Sequence, residues 1–183
     1  MLSKLQKTVN LFITRNGCFY IVTNISDRGI KTEEEALLFD EYSNLMLHLM
    51  GIYYENSLSE KTIRKHKYSL FGLFMYASGM LELHATDCLR WPVFDCYFDD
   101  WYISHDMSSS VQTTKDGIAA VKKYALMLEA LGLIDQTHLK AINTALKNGK
   151  EEWLENMAMF DDEDIPYREY CIRVHGYDPG DVD

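Results

Sequence analysis

The sequence predicts a mainly α-helical protein, and three observations carry that expectation. Apolar residues recur at helical rather than alternating spacing along most of the chain. Residues with capping side chains stand directly before these runs, and glycines stand directly after them. The 183 residues are 47% hydrophobic and 25% charged, which suits a core-forming chain of about one domain. Three prolines and ten glycines leave no room for a disordered linker, and no internal repeat is visible.

The N-terminal segment is the exception to the helical pattern. VNLFITRNGCFYIVT sets Asn16-Gly17 between β-branched and aromatic residues, which is the strongest two-residue hairpin signal. A helix over residues 2–14 also fits Leu5, Val9 and Phe12; the Asn-Gly pair favours a hairpin within residues 1–31. Thr32 and Glu35 then have the spacing of a capping box and open a helix running to about Tyr54. Leu38, Tyr42, Leu45, Leu49 and Ile52 line one face of it, and Glu33, Glu34 and Glu35 suit the positive end of its dipole.

Residues 57–135 hold the clearest pattern. Ser59 caps a helix whose core face is Ile63, Leu70, Phe74 and Ala77, with Leu58 and Ile63 placed as a hydrophobic staple. Pro92 is tolerated in a first turn, and Phe94, Tyr97, Phe98 and Trp101 follow at i, i+3, i+4, i+7. In the next helix Val111, Ile118 and Ala125 interleave with Thr114, Val121 and Leu128. Gly132 is placed to end it in the left-handed conformation, with Leu133 and Ile134 folding back. Beyond it, Thr137 is expected to cap a helix through Leu139, Ile142 and Leu146 that stops at Gly149. A short helix with Trp153, Leu154 and Met157 follows, and the remaining aromatic and acidic residues are expected to end loosely. The expected division is therefore 1–31, a helical core over 32–149, and an acidic extension over 150–183.

Charge is unevenly spread. The net charge is −10, and residues 150–183 carry three basic and eleven acidic groups, a net −8, leaving −2 for residues 1–149. An acidic whole opposes non-specific affinity for nucleic acid, whereas a near-neutral body with a local basic face does not. No apolar run approaches the ~20 residues of a membrane span and no signal peptide opens the chain. Cys18, Cys88, Cys96 and Cys171 lack C-x-x-C spacing, which predicts reduced thiols in a cytoplasmic protein. Neither His84 and Cys88 nor His105 and Cys96 form a metal-site spacing. Adjacent acids such as Asp99-Asp100 and Asp161 to Asp164 suit solvated faces or helix ends. No hydrolase, zincin or P-loop motif is present, and no cofactor is expected.

The run S-x-K-T-I-R-K-H-K-Y-x-L-x-x-F from Ser59, the middle helix ending in Trp101, and S-x-x-T-x-x-x-x-I-x-x-V-x-x-Y from Ser110 resemble the core-binding, SAM-like domain of tyrosine recombinases and phage integrases. ITRNGCFYIV followed by GIKTEEEAL is similar to the small arm-binding β-domain that precedes it. Here a third strand is hard to find, and Arg15, Arg28 and Lys31 are the remaining basic residues. The resemblance implies a helical bundle that grips one side of duplex DNA. Its family's catalytic domain supplies two arginines, a lysine, a histidine region and a tyrosine nucleophile. The 48 residues after Asp135 are too few for that domain, and Tyr167 and Tyr170 lack a preceding H-x-x-R. The expectation is a non-catalytic module.

Candidate phosphate contacts are Lys61, Arg64 and Lys65, which share one helix face, and Lys115, Lys122 and Lys123 on the closing helix. A continuous positive stripe of these side chains would fit double-stranded DNA. The alternative is an acidic helical protein-interaction module, docking a protein partner through the acidic, aromatic C-terminal segment.

Overall fold

The computed structural model describes residues 33–81, 87–89 and 91–180. They are helical, with no strand among them. The expected hairpin and the Thr32–Glu35 capping box fall outside the described residues. Helix α1 spans Glu33–Tyr54 and α2 spans Glu60–Leu81. A 3-10 turn at Asp87–Leu89 leads into α3, Trp91–Cys96, which passes through a π-helical segment, Tyr97–Trp101, into α4, Tyr102–His105. The long helices α5, Val111–Ala130, and α6, Gln136–Phe160, form a hairpin, and α7 covers Tyr167–His175.

Helix α5 is the central element, with α6 along one flank and α2 along the other; α1 lies on α2. Its stripe is buried as the spacing predicts: Thr114, Val121, Ala125 and Leu128 are inside, Ile118 lines the edge, and only Val111 is half-buried. Ser110 accepts a hydrogen bond from the Thr113 amide at 3.2 Å, satisfying a first-turn donor of α5. Ser59 does the same for the Thr62 amide in α2, at 3.2 Å. Leu58 and Ile63 both pack partly into the core there, as a staple requires. On α1, Tyr42 and Leu49 are buried, but Met46 and Met50 are more deeply buried than Leu45 and Ile52, so its core face is rotated from the expected one.

The π segment widens one turn of the aromatic helix. Tyr97, Phe98, Tyr102 and Ile103 all lie in the core, while Trp101 is only partly buried. Phe98 meets Trp153 of α6 with ring centroids 5.0 Å apart. His66 is buried between α2 and its neighbours, and burial pushes its imidazole below the ordinary value, towards the neutral form.

Three local expectations are corrected. Asp135, not Thr137, caps α6, its carboxylate accepting from the His138 amide at 2.8 Å. Gly149 does not stop that helix, which runs on to Phe160. A Cβ at Gly149 would lie 2.3 Å from Cζ2 of Trp153, so the missing side chain is the space in which the indole lies back against its own helix. The C-terminal residues do not end loosely either. Helix α7 buries Tyr170 and Cys171 and closes on Gly176 at φ 69°. Trp153 and Met157 are wholly buried as well, so residues 150–183 supply part of the core.

Candidate nucleic-acid interface

The α5–α6 hairpin is set by its turn. Gly132 takes φ 71°, which directs the Leu133 amide to the Leu128 carbonyl and the Gly132 amide to the Glu129 carbonyl, both at 2.9 Å. These are the two bonds of a Schellman ending, and they leave α6 free to start at the Asp135 cap and run back along α5. Antiparallel packing then juxtaposes Lys115 and Lys122 of α5 with Lys147 and Lys150 of α6. The four line a groove of about 720 Å³ floored by Ile118, Ala119 and Leu146, with Asn143 beside them and no carboxylate in the lining. All four lysines are exposed, and none is in an ion pair among the described residues.

The six residues singled out by spacing are not one stripe. Lys115 and Lys122 enter this groove. Arg64 and Lys65 border a different groove, on the α2 flank of α5. There Lys65 pairs with Asp116 at 3.0 Å, and Arg64 approaches Glu60 at 3.9 Å. Lys61 is exposed one turn earlier on α2 and lines neither groove. Lys123 is half-buried, its ammonium 5.3 Å from the Tyr54 ring centroid, while the Tyr54 hydroxyl donates to its carbonyl at 2.8 Å. Burial pushes that Tyr54 hydroxyl up to about 12. Lys147 and Lys150 were missed by sequence reasoning. The signal for them is Asn143, Lys147 and Lys150 at i, i+4, i+7, a polar edge beside the buried Leu139, Ile142 and Leu146.

An anionic segment meets the N-terminal end of α5. Asp161 at the end of α6 accepts from the Val111 amide at 3.2 Å, which ties the Asp161–Asp164 turn to the positive end of α5. All four acids are exposed, and Lys115 follows one turn along α5. The rest of the tail is tethered by carboxylates of the aromatic helix. Trp153 Nε1 donates to Asp95 at 3.2 Å, Asn156 hydrogen-bonds Asp99, and His175 Nε2 lies 3.6 Å from Asp100.

Among the described residues there is no group of three side chains placed to hold a metal ion, and no helix long and apolar enough to cross a membrane. Cys88 and Cys171 are buried, and Cys96 is exposed. No family model matches the chain, and no curated protein or solved structure matches it significantly.

Proposed function

We propose that this chain is a non-catalytic helical module that associates with duplex DNA through phosphate contacts. The bundle resembles the SAM-like core-binding domain of integrases in the residues from Ser59 and Ser110 quoted above. The observation that carries the reading is the groove lined by Lys115, Lys122, Lys147 and Lys150, whose charges meet no carboxylate in the groove wall. Four ammonium groups there suit successive backbone phosphates, which fix position without reading sequence. The Asp161–Asp164 turn, held at Val111 one helical turn before Lys115, opposes the same phosphates and keeps the affinity low.

Fluorescence anisotropy with unrelated duplexes across a salt series tests this. Binding is expected to be indifferent to sequence, with a log–log salt slope of about −3 to −4 for four displaced counterions. Lys115→Glu with Lys122→Glu should abolish it, Lys61→Glu should change it little, and Glu163→Gln with Asp164→Asn should strengthen it. A folded wild-type chain that binds no duplex at low salt removes the proposal. The protein-interaction reading then takes its place, favoured by the exposure of Tyr167, Ile172 and Tyr177 beside the acidic turn.

A further inference from the structure

Most of the large apolar side chains exposed among the described residues fall into two neighbourhoods of opposite charge, while Met80 and Leu81 stand apart at the C-terminal end of α2. Tyr68, Phe71 and Met75 are 63%, 48% and 48% exposed and stand at i, i+3, i+7 on the outer face of α2. Tyr68 and Phe71 border a groove of about 660 Å³ on the α2 flank of α5, with Leu47 and Tyr102 also in its walls. Arg64, Lys65 and Lys67 surround it, and Asp116 in its lining pairs with Lys65, leaving Arg64 and Lys67 as its excess cations. At Tyr68 this groove meets a second depression of about 410 Å³, walled by the stacked rings of Trp101 and His105 and by the fully exposed Met107. The other neighbourhood is anionic: Tyr167, Ile172 and Tyr177 lie just beyond the exposed Asp161–Asp164 turn. Apolar area of this extent rimmed by charge marks a surface meant to be covered.

We propose that a second copy of this chain covers it, in a two-fold dimer. The acidic turn and α7 of each copy would lie against the basic, apolar α2 groove of the other. The chemistry of both halves is present in one chain, cations around aromatic residues on one side and carboxylates beside tyrosines on the other. The two patches are also neighbours. Asp161 is hydrogen-bonded to Val111, and the next residue, Gln112, lines the α2 groove. Adjacent complementary patches let both contacts form reciprocally about one axis, so assembly closes at two chains and does not run on into a filament. The net −10 repels copies at a distance, but beyond ~8 Å it is screened at physiological salt, and the local pairing of Arg64 and Lys67 with Glu163 and Asp164 decides the contact.

Sedimentation equilibrium of the full chain over a wide concentration range tests the dimer. The mass should rise from that of one 21.3 kDa chain to that of two. Phe71→Glu, the pair Arg64→Glu with Lys67→Glu, and the pair Glu163→Lys with Asp164→Lys should each weaken association by roughly tenfold or more. Combining the two charge reversals in one chain should restore it, an outcome that loss of folding cannot produce. A chain that stays monomeric throughout overturns the proposal. So does a dimer indifferent to Phe71→Glu, or growth beyond two chains.

Discussion

The turn between α5 and α6 and the middle of α6 each depend on a glycine, for different reasons. At Gly132 the demand is on the backbone: φ is 71°, and nothing lies within 4 Å of where a Cβ would stand. At Gly149 the backbone is ordinary helix, and the demand is on space, because the Trp153 indole fills the Cβ position. One glycine lets the chain reverse; the other lets a large ring lie flat along its own helix and reach Phe98. The first requirement is met within a few residues of the chain, and the second exists only once α6 is packed on the aromatic helix.

Substituting alanine at each glycine separates the two demands. Gly149→Ala improves intrinsic helix propensity by about 1 kcal/mol, yet it should destabilise the protein by about 1–3 kcal/mol net through overpacking. The indole cannot swing away cheaply, since Trp153 is fully buried, packed at a tilt against Phe98 and hydrogen-bonded to Asp95. Urea unfolding monitored by tryptophan fluorescence reads both the midpoint and the ring's environment. A midpoint that rises would show the ring free to move and would dissolve the contrast between the two sites.

Gly132 should respond less strongly, and to side-chain type rather than size. Gly132→Val should cost roughly 1 kcal/mol or more through the φ > 0 penalty, and Gly132→Asn less, because asparagine tolerates the left-handed region. An unchanged thermal midpoint in Gly132→Val would count against the Schellman ending, whatever the contacts around it.

This difference in origin also decides what could be read before the structure. Ser59 and Gly132 act through hydrogen bonds within a few residues of themselves, and each has its expected role. The stripe of α5 was legible for a similar reason, since periodicity records which face a helix buries. Gly149 was misread as a stop because local propensity counts a mid-chain glycine as a breaker and has no knowledge of the indole four residues on. Thr137 lost the cap to Asp135 by two positions, where both residue types are competent and the preceding turn decides. The basic residues divide in the same way. Helical spacing groups Lys61, Arg64 and Lys65 correctly on one helix. It cannot report that Lys65 meets Asp116 of α5 or that Lys115 of α5 shares a groove with Lys147 and Lys150 of α6.

Acidification should act on the two regions in opposite directions through two carboxylates, with a smaller effect than either glycine substitution. At the turn, the His138 amide and ring hold the Asp135 carboxyl below its usual value by hydrogen bonding. Its folded form therefore prefers the anion. The stability it adds is complete above the unfolded value near 3.8 and is lost as pH falls through the lower folded value. Beside the middle of α6, burial pushes Asp99 the other way, above its usual value, with the Asn156 hydrogen bond offsetting it in part. There the folded chain prefers the proton, so the buried anion weakens the fold at neutral pH and protonation relieves it as pH falls towards 4. Asp135→Asn keeps a capping side chain and should flatten the loss of thermal midpoint in the lowest part of a titration from pH 6 to pH 3. Asp99→Asn should raise the midpoint at pH 6 and leave it closer to wild type in acid, where wild-type Asp99 is already protonated. If both variants shift the curve in the same direction across the whole range, the carboxylates do not distinguish the turn from the packed middle of the helix. The contrast between the two regions would then be one of space and backbone alone.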